Sequence, residues 1–402
     1  MAKFMFVVPP FFGHISPTLS VGADLLARGH SVLWVGLREL PAKHLPAGGR
    51  WIVPPATSAL HGEEILRILK RQDDGVNLSG MEVLKLAVEE TYLPFCRFLM
   101  EGLPEVTDQF EPDVIISDCI TFAGGICAFK KGIPFVTSTP VAPDVMKSAM
   151  DMPRVLQWHR NLVMGLQREF GVLTDEAVVL SNELNIVFTS REFAGVPAPP
   201  PQMKFVGPVK GRPDTTPFDW EKFRKLPSPR IFISLGTLLR DIRPVYFQRM
   251  VEAFGHQPLG VIAATDPGIL PEWPDNFLVQ DYVPQSLLLS KVNAVICHGG
   301  FNTVNDAIFN QLPILITPIT YDHFHNAALV VAAGCGIQLR YKRLRTDDLK
   351  SAVWSLLENE KYAIAARKHK NFFLSAGGNA KAVEYLEEFA GARRVMVMGA
   401  VG

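Results

Sequence analysis

The chain has no surplus of charge. Its 402 residues include 40 Lys and Arg against 40 Asp and Glu, and no basic run exceeds three residues, which excludes the electrostatic footprint of a nucleic-acid binder. Cysteine is scarce. The five present (Cys96, Cys119, Cys127, Cys297, Cys335) are odd in number and lack the spacing of metal or redox motifs, so reduced core thiols in a cytoplasmic protein are expected and a disulfide framework is not. No window offers the about 18 to 20 apolar residues that cross a bilayer. The apolar start from Phe4 to Phe12 is broken by Pro9 and Pro10 and preceded only by Lys3, which reads as a buried first strand rather than a signal peptide. The end, Arg393-Arg394 and then Val395 to Gly402, reads as a packed or disordered terminus, with peripheral lipid contact as the other reading. Also missing are Asp-x-Asp, His-Glu-x-x-His and any Cys/His cluster, so no metal site is expected. There is no Gly-Lys-Ser/Thr P-loop, which argues against an ATPase. The first turn, Pro-Phe-Phe-Gly-His, lacks the GxGxxG of a single-domain dehydrogenase.

What the chain does have is a repeating alternation. Short apolar β-rich runs (Phe4 to Val8, Ser31 to Val35, Val114 to Ser117, Phe135 to Thr137, Ile186 to Thr189) are separated by longer helical patterns, the signature of a parallel, doubly wound sheet. A Pro-rich passage from Val196 to Pro229 interrupts it, and the pattern restarts at Ile231 to Leu235. Runs at Gly260 to Ala263, Phe277 to Val279, Ala294 to Cys297, Ile314 to Thr317 and Gly336 to Leu339 follow. The length suits two domains. The expected organisation is a first Rossmann-like domain over 1–205, a Pro-rich linker over 206–229, a second Rossmann-like domain over 230–378 and a C-terminal helix and tail over 379–402. In that helix Ala382, Val383, Leu386 and Phe389 share a face able to pack on either domain. Two such domains would face a cleft, since ligands of open α/β sheets bind outside the carboxyl ends of the strands.

Two glycine turns stand at such ends in the second half. Ser234, Gly236 and Thr237 form one, and His298-Gly299-Gly300-Phe301-Asn302-Thr303 the other, leading from a strand into a helix. Glycines admit close approach to the backbone, and a helix N-terminus presents about half a positive charge, so the His298 turn either cradles a phosphate or simply ends a strand, and with Ser234, Gly236 and Thr237 it is placed to grip a diphosphate between two loops. Asp306 is placed to accept from ribose hydroxyls, and Asp322 with His323 offers an acceptor and a donor for sugar hydroxyls, the other reading of Asp322 being a solvated loop acid. In the first half, Gly13-His14-Ile15-Ser16-Pro17 follows the first strand, with Ser16 expected as N-cap and Pro17 as the first helical residue. His14 is then either a general base for a hydroxyl or a His that caps or packs at a turn. Asp118, ending another strand, either fixes the tautomer of His14, as the acid of a triad does, or caps the helix that follows. Met146, Met150, Met152, Trp158, Met164 and Phe170 read as an adaptable apolar pocket or as ordinary helix core.

Tyr282-Val-Pro284-Gln285, His298-Gly-Gly300-Phe-Asn302-Thr303, Asp306, Pro313, Pro318 and Asp322-His323 together resemble the nucleotide-sugar signature of family 1 glycosyltransferases. Gly13-His14-x-x-Pro17, Asp118 and Phe205-Val206-Gly207-Pro208 look like the same family, and the run around His298 is similar to bacterial macrolide-type and carotenoid-glucosylating members. The resemblance implies a GT-B fold. It implies metal-independent, inverting transfer of a hexose, glucose first, from a UDP-sugar to a hydroxyl of a lipophilic small molecule, with no cofactor beyond that donor. It assigns His14 as general base with Asp118 as partner, Tyr282 to stacking on the nucleobase, Val283 to a backbone contact with uracil, and Gln285 and Asp306 to the ribose. His298, Gly300, Asn302 and Thr303 fall to the diphosphate, and Asp322 and His323 to the sugar. Tyr282 stands where Trp is common, Asp306 for Glu, Gln311 for Gly and His323 for Gln; an imidazole cannot reproduce the planar donor and acceptor pair of an amide. An epimerase of the same architecture, or a non-catalytic nucleotide-sugar-binding partner subunit, is the alternative.

Overall fold

The computed structural model describes the backbone of every residue except 79, 144–151, 212–215, 238 and 401–402, and no side chains at 56, 58–59 and 393–400. The chain divides into two compact units. One comprises Met1–Arg71, Gly80–Gly211 and Ser375–Gly402, the other Gln72–Ser79 and Arg212–Leu374.

The first unit is built on a seven-stranded sheet in the order β3-β2-β1-β4-β5-β6-β7, parallel at every pair. Its strands are β1 (Lys3–Val7), β2 (Ser31–Val35), β3 (Arg50–Ile52), β4 (Val114–Asp118), β5 (Phe135–Thr139), β6 (Asn185–Val187) and β7 (Met203–Phe205). Alternation along β1 divides the core: Met5 and Val7 join one apolar cluster, Phe4 and Phe6 the other. Trp34 of β2 is fully buried against Phe6, and its indole N–H donates to Thr18 Oγ1 at 3.0 Å. A side chain buried to this degree contributes about 1.5–3 kcal/mol.

The second unit carries a six-stranded parallel sheet in the order β10-β9-β8-β11-β12-β13. The strands are β8 (Arg230–Ser234), β9 (Gly260–Ala264), β10 (Phe277–Gln280), β11 (Ala294–Cys297), β12 (Ile314–Ile316) and β13 (Gly336–Gln338). In both sheets the winding reverses at the centre, between β1 and β4 and between β8 and β11. The strands that flank each reversal deliver their following residues to one place.

One local expectation is corrected. The helix after β1 runs Phe12–Ala27, so His14 lies in its first turn, Pro17 lies inside it, and Ser16 is not its cap. His14 N and Ile15 N already bond Phe11 O, so helical pairing begins before Ser16 could cap it. The strands β3 and β7, three residues each at the sheet's edges, are too short and too little buried to be read in advance. The Pro-rich passage is also packed: Val206 is buried in the first unit's core, and Trp220–Lys225 forms a helix with Phe223 buried. The C-terminal helix Gly378–Ala400 sets Ala382, Val383 and Leu386 on the Phe4/Trp34 cluster, with Phe389 packed beside them, so its apolar face belongs to the first unit. Among the described residues no helix is long and apolar enough to cross a membrane.

Candidate active site

In the first unit, the switch point brings together the two residues that sequence could only juxtapose. His14 Nδ1 lies 2.9 Å from Oδ2 and 3.1 Å from Oδ1 of Asp118. The strands fix this meeting, because Val7 of β1 pairs with Ser117 of β4 and both side chains follow those ends. Asp118 also accepts from Ile120 N–H at 3.0 Å, so its capping role and its partnership with His14 coexist. The carboxylate is fully buried and the imidazole 17% exposed. A carboxylate facing Nδ1 selects the tautomer with hydrogen there and leaves Nε2 able to accept a proton. Cys119 joins them: His14, Asp118 and Cys119 form a group of metal-capable side chains whose ligand atoms lie within 4.8 Å of one another. No sequence motif announces that trio, since Cys119 belongs to no spaced pair.

In the second unit, His298 sits between the two glycine turns. A Cβ on Gly236 would stand 2.9 Å from its Cε1, and one on Gly300 2.8 Å from its Nε2. Both turns therefore need glycine beside the ring, and Gly236 (φ 70°) and Gly299 (φ 105°) also need it for their backbone. Gly236 N–H donates to Ser234 Oγ at 3.2 Å. Gly300 is the N-cap of the helix Phe301–Phe309, whose first turns carry Asn302, Thr303 and Asp306. Burial first, then the neighbouring His323, hold His298 down to about 3, and burial holds His323 down to about 3, so both rings are neutral at pH 7. Among the described residues His298 Nδ1 is buried without a hydrogen-bond partner.

His323 lies beneath this ring. It is 7% exposed, and its Nδ1 accepts from Thr320 N–H at 3.3 Å. Asp322 accepts from Asn326 Nδ2 at 2.7 Å, and Asn326 also donates to Gly299 O at 2.8 Å, tying the Asp322 loop to the glycine turn. Further along, Gln285 Nε2 donates to Asp306 Oδ2 at 2.8 Å, so two residues the resemblance gives to the ribose form one bonded pair. Tyr282 is 63% exposed, with its carbonyl accepting from Gln280 Nε2, and Val283 O accepts from Gln285 N–H.

Sequence reasoning missed three contributors. Asn326 is fully buried and carries no motif. Arg243 opens the helix Arg243–Phe254 and donates from Nη2 to Gly236 O at 2.6 Å; the Arg-Pro step marking a helix start was the available signal. The third is the strap Gln72–Val76, which comes from the first half of the sequence yet folds with the second unit. Asp73 accepts from Leu239 N–H at 2.7 Å, Gly75 O accepts from Thr320 Oγ1 at 2.8 Å, and Tyr321 Oη donates to Gln72 O at 3.0 Å. Of the residues read as an apolar pocket or as core, Trp158 and Phe170 pack against the core, with Trp158 Nε1 donating to Glu89, and Met152 is exposed. Met146 and Met150 lie outside the described residues.

Residues 255–389 match the family described as erythromycin biosynthesis protein CIII-like, C-terminal domain. Over 94% of its length the chain is 24% identical to the NDP-glycosyltransferase YjiC of Bacillus subtilis (strain 168), covering 95% of that protein. It is 25% identical to the zeaxanthin glucosyltransferase of Pseudescherichia vulneris, covering 96% of this chain and 98% of that one. Among solved structures, the glycosyltransferase VinC in complex with dTDP superposes with a TM-score of 0.73 at 19% identity, over 97% of this chain and all of that one, which shows the GT-B fold.

Proposed function

We propose that the chain is a glycosyltransferase of the macrolide and carotenoid type, and that it moves a hexose, glucose first, from a UDP-sugar to a hydroxyl of a lipophilic small molecule. The reading is supported most directly by the His14–Asp118 bond, a carboxylate-held imidazole at the carboxyl edge of a doubly wound sheet. His14 Nε2 takes the acceptor's proton as its oxygen forms a bond to the anomeric carbon. The bond from that carbon to the β-phosphate oxygen breaks, UDP keeps the electron pair, and the configuration inverts. Asp118 stabilises the imidazolium that results.

On the donor side the exposed ring of Tyr282 stacks on the base, and Gln285 and Asp306 take the ribose. The N–H groups of Gly300, Asn302 and Thr303 face the diphosphate, and Asp322 takes hydroxyls of the sugar. Helix-terminal and turn N–H groups are fixed before reaction, so stabilising the leaving charge needs no reorganisation and no metal.

Incubation with UDP-glucose and a phenolic or terpenoid alcohol tests the reading. An acceptor heavier by one hexose supports it. Free isomers of the UDP-sugar with no conjugate would make the enzyme an epimerase instead, and His14→Ala turning over at the wild-type rate would remove the general base.

A further inference from the structure

His298 is the ring around which both glycine turns close, and burial keeps it neutral at physiological pH. A diphosphate is multiply anionic, and one helix N-terminus offers about half a charge to meet it. The two turns therefore lack a full positive charge unless another group brings one. Arg243 is placed to do so. It opens a twelve-residue helix that follows the Gly236 turn, and its guanidinium reaches back to the carbonyl of Gly236 at 2.6 Å, next to the His298 ring. Its charge is felt at His298; burial first and then Arg240 press its own pKa down, against Asp281 and Asp73, which hold it up. Half-buried, it stays a cation, since a guanidinium does not give up its proton in proteins. Arg240 lies nearby but is exposed.

We infer that Arg243 is the cation that holds the diphosphate of the donor and of the departing nucleotide. The inference rests on the nucleotide-sugar reading above. A planar fork of five N–H donors suits phosphate oxygens, and a point already anchored on the turn's own carbonyl brings that fork to the glycine turns without a mobile loop. A purely structural role, shaping the Gly236 turn through the same bond, is the competing account, and the two roles separate by which part of the ligand they affect.

Calorimetric titration of wild-type, R243M, R243K and R240M protein with UDP and with uridine, and in parallel with dTDP and thymidine, distinguishes them. R243M is expected to weaken the diphosphate by roughly 10- to 100-fold while leaving the nucleoside unchanged, the size of a lost charged hydrogen bond. R243K should recover part of that loss, and R240M should bind as wild type does. Equal weakening of nucleoside and diphosphate would assign Arg243 to turn structure and overturn the inference, as would full UDP affinity in R243M or an equal loss in R240M. Failure of the wild-type protein to bind either diphosphate would instead bring down the nucleotide-sugar reading, and the inference with it.

Discussion

The imidazole of His323 stands edge-on to that of His298, with 4.5 Å between ring centroids and 87° between planes. In the resemblance His323 occupies the place of a glutamine that reads the sugar, yet here its ring is buried and its Nδ1 is taken by Thr320 N–H. The perpendicular packing steadies the ring that the two glycine turns enclose.

Acid should expose that pairing. Both histidines titrate lower folded, about 3, than the ordinary value near 6.5, so the unfolded chain binds more protons between those limits. Their contribution to stability is whole above about pH 6.5 and is lost as pH falls toward 3, with a slope approaching about 1.4 kcal/mol per pH unit for each ring. The buried His159 has the same sign. Urea denaturation of wild type and His323→Gln at pH 7, 6 and 5 measures it. The variant should decline less steeply by about one proton's slope, and identical slopes would mean that His323 is not held neutral.

Asp118→Asn tests the tautomer. Ile120 N–H holds Oδ1, so the Oδ2 position would become the NH2 group facing His14 Nδ1. That nitrogen would then have to accept, moving its hydrogen to Nε2 and blocking proton uptake from the acceptor. We expect kcat to fall on the order of 10² to 10⁴ with the donor KM and the circular dichroism spectrum unchanged. A drop below tenfold would show that Asp118 does no more than cap the turn.

The sequence carried the central strands of both sheets because parallel strands buried on both faces are continuous apolar runs, as in Ala294–Cys297 and Ser31–Val35. It could not show the edge strands Arg50–Ile52 and Met203–Phe205, which are short and only partly buried. Site residues that end a strand, such as Asp118 and His298, were legible from position alone. Those that reach the site through packing were not: Asn326 acts from inside a helix, and the strap comes from far away in sequence. The helix start at Phe12 was misread because Ser16-Pro17 imitates a cap, while Gly13 and His14 begin the helix without one.

Asp306 is bonded to Gln285, and removing it should leave the nucleobase contact intact while loosening the ribose. For Asp306→Ala we expect the donor KM to rise about 10-fold, near 1.4 kcal/mol, within the range for one hydrogen bond to a charged acceptor. The informative control is a donor built on 2′-deoxyuridine. If wild type prefers the ribose donor and Asp306→Ala does not, the acid reads that hydroxyl. A preference that survives the mutation gives the ribose to another residue.

The strap predicts a split between sugar and nucleotide. A Cβ on Gly75 would meet Tyr321 Oη at 2.9 Å and Thr320 Oγ1 at 3.0 Å, so Gly75→Ala presses on two side chains of the loop that leads directly into Asp322 and His323. Tyr321 is already in the left-handed region at φ 49°, and it is anchored to Gln72, which leaves that loop little room to give. Overpacking of this kind costs about 1–3 kcal/mol, visible as a lower Tm. UDP lacks the sugar and should keep its affinity for Gly75→Ala, whereas the KM for UDP-glucose should rise several-fold. The ratio of the two constants is therefore the measurement. If both weaken together the strap supports the whole donor site, and if neither moves the Thr320–Tyr321 loop does not set the position of Asp322.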